Sequence, residues 1–173
     1  MGKITLCEIS LSKKVDLYFT KEQMIGVLNV ETDKDLKLSA ISITIKGQGY
    51  VHWTEQKLRG PGEPRFKDTH HHSASEDYFE HTLVLFGQGS GERLDKCYLP
   101  AGRYTYPFQC QLPANIPCSF EGDLGYVRYW VKATIEKGRE LIHKTKLPFT
   151  VICPLELNSV PDSDVSVKFE RQV

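Results

Sequence analysis

The sequence predicts an all-β protein, a sandwich of two antiparallel sheets, and three observations carry that expectation. Apolar residues recur with a period of two, and no stretch of a dozen residues holds a helical 3.6-residue repeat. Turn-forming clusters, TDKD, GPGEP, GQGSGE and PAGR, punctuate the chain between the apolar runs. Many short strands without helices bury their apolar faces only by packing against a second sheet.

In chain order, weak alternation marks strands at Ile4–Leu11, Val15–Phe19 and Met24–Glu31. Ile41, Ile43 and Ile45 then alternate with Ser42, Thr44 and Lys46, the pattern of a strand with one buried face. Further strands are expected at Gly49–Glu55 and Asp77–Phe86. Between them, RGPGEPRFKDTHHHSASE (Arg59–Glu76) is polar and aperiodic and reads as a long exposed loop. Tyr104, Tyr106, Phe108, Cys110 and Leu112 form the next buried face, opposite Thr105, Gln109 and Gln111. Val127, Tyr129, Val131, Ala133 and Ile135 form another, opposite Arg128, Lys132 and Thr134, with Trp130 as an apolar exception on the outer side. Leu147, Phe149 and Val151 close the series, and eight to ten strands of this kind imply an immunoglobulin-like sandwich. Residues 1–157 read as one domain, and 158–173 as a linker or tail with a short strand at Val165–Phe169.

The chain has 173 residues, enough for one sizeable core, with 40% hydrophobic and 25% charged residues. Lys plus Arg equals Asp plus Glu at 22 each, so no global field draws the chain to nucleic acid or an anionic bilayer. No apolar run reaches the roughly 20 residues that span a membrane. MGKITLCEISL has neither a signal-peptide core nor its cleavage site, and Leu6 stands where a myristoylation signal wants Ser or Thr. A cytoplasmic protein is expected. Cys7, Cys97, Cys110, Cys118 and Cys153 show no CxxC spacing, which fits reduced thiols better than a disulfide framework or a zinc site.

Several groups invite chemistry. His70, His71 and His72 offer imidazoles for a metal, but adjacent side chains diverge, and a solvated loop accounts for them. Cys118 follows Pro117 in a loop and reads as an incidental or redox-sensitive surface thiol, since no neighbouring base activates it for catalysis. Glu121 and Asp123 sit in SFEGDLG, where the turn between Gly122 and Gly125 favours short polar residues by itself. GQGSG (Gly87–Gly91) lacks the lysine and helix of a phosphate cradle. No nucleophile, base and oxyanion donor assemble, so no enzyme, metal or cofactor is expected. Arg128, Trp130 and Lys132 share one strand face, and a tryptophan framed by cations is the candidate protein contact. The competing account is that the cations' aliphatic stems simply cover the indole.

From Leu99, LPAGRYTYPFQCQLPANIPCSFEGDLGYVRYWVKATIEK resembles the signature region of α-arrestins, the arrestin-domain-containing proteins. The matching pieces are Leu99–Gly102, Phe108–Pro113, Pro117–Gly122 and Gly125–Ala133, with Cys118 inserted at the usual Pro-Ser junction; KLSAISITIKGQGYVHWTE and EDYFEHTLVLFG add further matches. The resemblance implies an arrestin N-terminal domain: a non-enzymatic adaptor that docks cytoplasmic tails or loops of membrane receptors or transporters, for endocytic trafficking. HECT-type ubiquitin ligases are recruited in such proteins by Pro-Pro-x-Tyr motifs in a tail beyond a second arrestin domain, and neither part is in this chain. The phosphate-binding lysine pair of visual and β-arrestins falls at Cys7 and Glu8, and their acidic stretch near Gln23–Gly26, where no acid stands. Little discrimination between phosphorylated and unphosphorylated tails through that site is therefore expected. One α-arrestin binds thioredoxin through a cysteine of its second domain, a role no cysteine here inherits. A metal- or redox-responsive module using His70–His72 or Cys118 is the alternative function.

Overall fold

The computed structural model describes residues 3–58, 67–87, 97–137 and 140–154. Among these, eleven strands run in the order β1 (Ile4–Leu11), β2 (Leu17–Phe19), β3 (Gln23–Thr32), β4 (Leu36–Leu38), β5 (Ala40–Leu58), β6 (Lys67–Gly87), β7 (Cys97–Leu99), β8 (Gly102–Gln111), β9 (Phe120–Glu121), β10 (Gly125–Lys137) and β11 (Glu140–Ile152). The first sheet has the order β1-β3-β8, the second β2-β11-β10-β5-β6 with β9 added beside β10, and β4 pairs with β7 in a small third sheet. All pairings are antiparallel except that of β2 with β11. No helix among the described residues is long and apolar enough to cross a membrane.

The two principal sheets share one core. Met24, Leu28 and Val30 of β3, with Phe108 and Cys110 of β8, pack in the same cluster as Ile41, Ile43 and Ile45 of β5 and Tyr129, Val131, Ala133 and Ile135 of β10. These are the alternating positions of the sequence, and their period of two follows from the pleat, which turns successive side chains to opposite faces. Register locks the arrangement: Val131 sits opposite Ile45, and Ala133 opposite Ile43. A one-residue slip would turn Lys46 or Lys132 into the core.

Arg59–Glu76 departs from the expected loop. Lys67–Glu76 belongs to β6 and pairs in unbroken register with Gly49–Leu58, so Gly49–Glu55 is not a strand of its own but the continuation of β5. The physical reason is solvation. His52–Gln56 and Asp68–His71 are exposed on both faces, and an uncovered ribbon has no core to select alternation. Residues 59–66, 88–91 of the GQGSG stretch and the 158–173 tail, including Val165–Phe169, lie outside the described residues.

Candidate partner-binding face

The segment between β8 and β10 is what positions the outer face of the second sheet. Pro113 and Pro117 keep Leu112–Ser119 out of regular pairing, and other bonds pin that segment instead. Tyr129, on the core face of β10, donates its hydroxyl to the Pro117 carbonyl at 2.6 Å, and Ser119 N–H donates to the Val151 carbonyl at 2.8 Å. Burial pushes the Tyr129 phenol well above its ordinary range, so the hydroxyl stays a donor. Gly122 N–H donates to the Gly125 carbonyl at 2.9 Å and closes the turn into β10. Gly125 is required there by close approach and not by a left-handed φ, since a Cβ on it would run into the Tyr50 carbonyl. Tyr129→Phe removes one buried bond and strands the Pro117 carbonyl; a loss of about 1–2 kcal/mol is expected in urea unfolding, with slope unchanged.

On the opposite face of β10, Arg128, Trp130 and Lys132 point the same way, between the buried Tyr129, Val131 and Ala133. They do not act alike. Arg128 is engaged by Glu121, with Nε and Nη2 donating at 2.6 and 2.8 Å to the two carboxylate oxygens, and its guanidinium lies 3.8 Å from the Tyr126 ring centroid. That fork holds the Glu121 carboxyl below the usual carboxylate range. The pairing of Glu121 with Arg128 also gives this carboxylate a structural task, leaving Asp123 exposed at the turn.

Trp130 is covered by a cation, but by one that the β10 pattern does not contain. Lys146 of β11 stands with its ammonium 3.5 Å from the indole centroid. Lys132 lies directly opposite Lys146 in the β10–β11 register, and Lys144 is two residues along. Partial loss of hydration, then repulsion from Lys144, Lys132 and Arg128, holds Lys146 below the ordinary lysine range. On the neighbouring strand, Lys46 is neutralised by Asp77 at 2.6 Å and Glu80 at 2.9 Å. Among the described residues no carboxylate pairs with Lys132, Lys144 or Lys146. A groove of about 460 Å³ beside Trp130 and Lys146 is lined also by Asp16, Phe120, Pro148 and Thr150. Lys144 and Lys146 were legible in KTKLPFT, since alternation with Leu147 and Phe149 puts the lysines outward; their meeting with Trp130 was not.

The histidines stand on β6 rather than in a loop. His70 and His72 share a face with Trp53 and Glu55 of β5, while His71 points to the other side and stacks on His52. His72 Nε2 is 3.6 Å from Glu55 and His70 Nε2 is 3.8 Å from Asp68. Among the described residues no group of three or more His, Cys, Asp or Glu side chains has the arrangement of a metal site. At the first-strand position where the lysine pair of other arrestins falls, Glu8 is exposed and burial pushes the Cys7 thiol up to about 11, so that position offers no cation.

Residues 7–158 match the model of the arrestin (or S-antigen) N-terminal domain. The chain belongs to the arrestin family. Among its curated relatives, human arrestin domain-containing protein 1 is 36% identical over 163 residues, 94% of this chain and 33% of that protein. Arrestin domain-containing protein 17 of Caenorhabditis elegans is 30% identical over 93% of this chain and 37% of its own length. Human thioredoxin-interacting protein is 30% identical over 99% of this chain and 42% of its own length. The chain thus spans a third to two fifths of the curated arrestin relatives it matches. Among solved structures, the sporulation control protein Spo0M of Bacillus subtilis aligns with a TM-score of 0.53 at 16% identity, over 87% of this chain and 49% of that one, a likeness of fold. The arrestin signature residues identified in the sequence are those that build the corner and β10: Pro117 accepts from Tyr129, and Gly125 clears Tyr50.

Proposed function

We propose that this arrestin domain is a non-enzymatic adaptor that docks cytoplasmic segments of membrane receptors or transporters, and that the face around Trp130, Lys132 and Lys146 receives an acidic stretch of the client. The single observation that carries the reading is the uncompensated lysine strip. Like charges directly opposite across an antiparallel pair destabilise it, so Lys132 facing Lys146 is a local cost that an anionic partner relieves. Trp130 adds a partly exposed aromatic of the type that anchors binding hot spots. Arg128 contributes less directly: its guanidinium is already committed to Glu121, and it serves as the wall of the groove. The corresponding whole-protein role is endocytic trafficking, with ligase recruitment through regions beyond these residues, at the cytoplasmic surface of plasma membrane or endosome.

The test is binding of acidic peptides from cytoplasmic tails to the purified chain, measured by fluorescence anisotropy. Trp130→Ala is expected to weaken binding by about tenfold, the scale of a hot-spot residue, with an unchanged melting temperature. Equal affinities for the native chain and the variant overturn the placement of the site. Failure of every acidic peptide, with a scrambled basic peptide binding instead, overturns the reading as a whole.

A further inference from the structure

Cys118 and Cys153 come from distant parts of the sequence and meet at the corner. Ser119 N–H donates to the Val151 carbonyl at 2.8 Å, and Val151 N–H donates to Ser119 Oγ at 2.9 Å, so the loop before β9 is laced to the end of β11. At the next position the Cys153 amide donates to Cys118 Sγ at 3.1 Å, which sets the two cysteines side by side. Cys153 Sγ in turn donates to the Ile116 carbonyl at 3.2 Å, which holds it beside the same loop. Cys118 is exposed and Cys153 half-buried, and neither is in a disulfide. The arrangement therefore pairs an accessible sulfur, solvated by an amide dipole, with a second sulfur kept under cover.

We infer that Cys118 and Cys153 form a peroxide-responsive modification site, in which Cys118 is oxidised first and Cys153 resolves it to an intramolecular disulfide. The electrostatics follow the geometry. The neighbouring Cys153 side chain and then the Cys153 amide lower the Cys118 thiol below its ordinary value, favouring the nucleophilic thiolate. Burial, and then the neighbouring Cys118, push Cys153 up to about 11, keeping it a protonated donor at rest. In the first step the Cys118 thiolate attacks a peroxide oxygen: an S–O bond forms, the O–O bond breaks, and the departing hydroxide takes a proton to become water. Cys118 is then a neutral sulfenic acid, and the repulsion that raised Cys153 is gone. In the second step the Cys153 sulfur attacks the Cys118 sulfur; the S–S bond forms, the S–O bond breaks, and the lost thiol proton leaves with hydroxide as a second water. Two thiols are oxidised by two electrons, and one peroxide is reduced to two waters.

The consequence is local. A Cys118–Cys153 bond would tie the signature loop covalently to the end of β11, beside the groove of Phe120, Trp130 and Lys146. Cys110 is buried and its thiol is raised by burial, as is that of Cys7.

The experiment treats the whole chain with hydrogen peroxide, blocks remaining thiols by alkylation, and maps the peptides by mass spectrometry. Cys118 and Cys153 are expected to lose alkylation together and to appear in one cross-linked peptide that dithiothreitol separates. In Cys153→Ser, Cys118 is expected to accumulate as a sulfenic acid trapped by dimedone; in Cys118→Ser, Cys153 is expected to stay alkylatable. Oxidation of native Cys118 to sulfinic acid without the cross-link, preferential oxidation of another cysteine, or a disulfide only between chains would each overturn the inference. The native-chain map decides the matter even where a serine variant folds poorly.

Discussion

Gly47→Val is expected to cost about 3 kcal/mol of stability and to lower the melting temperature by about 10 °C. Gly47 lies in the middle of β5, opposite Tyr129 of β10 and Phe79 of β6. A Cβ there would collide with Tyr129 Cε1, stand 2.6 Å from its Cδ1 and 3.0 Å from Phe79 Cε1. The ring has nowhere to move: its centroid is 6.1 Å from that of Phe79 and 5.8 Å from that of Phe149, and its hydroxyl is held by Pro117. Strand propensity acts in the opposite direction, since valine favours a strand and glycine weakens one. The sign of the effect therefore separates the two causes: a variant as stable as the native chain would mean that the core yields and that propensity wins. Gly49→Ala is the control, because its Cβ would meet the tip of Tyr78, 2.5 Å from the hydroxyl, at an open groove; a clearly smaller loss is expected.

The joint reversal Lys132→Glu, Lys146→Glu is expected to weaken acidic-peptide binding by well over tenfold at low salt while leaving stability near native. Both lysines lie on the outer face, and the reversal exchanges one facing like-charge pair for another, so their mutual repulsion stays of similar size while its sign toward a client changes. Coulomb attraction to a peptide carboxylate becomes repulsion, which acts on association rate as well as affinity. The effect should fade as ionic strength rises and the Debye length falls to about 3 Å near 1 M salt. Restoring binding with a lysine-rich peptide would add the complementary arm. A salt-independent loss would instead point to misfolding, and an unchanged affinity would remove the strip from the site.

The legibility of this chain varied with burial. Ile41, Ile43, Ile45 and the Val127–Ile135 set were readable because a covered sheet face demands apolar residues at every second position, and one sequence window contains the whole signal. His70–His72 were misplaced into a loop for the converse reason: a ribbon solvated on both faces imposes no period, and its strand character comes only from the bonds of β6 to β5. Leu36–Leu38, Cys97–Leu99 and Phe120–Glu121 were missed because pieces of two or three residues carry too little pattern. Arg128, Trp130 and Lys132 were legible as one face from alternation alone, whereas Glu121 beside Arg128 and Lys146 over Trp130 come from other strands.

By itself the sequence determined the sandwich, its buried alternation, the family signature and the exposed side of β10, all consequences of local periodicity and of residues adjacent in the chain. Only the tertiary structure decided that Glu121 neutralises Arg128, that Lys146 covers Trp130 and faces Lys132, and that Cys118 meets Cys153. Each of these contacts joins residues from different strands or loops, and register between strands is set by packing of the shared core rather than by any short window. Charge and thiol chemistry depend on distances of a few ångströms, so they become readable only once that register is known.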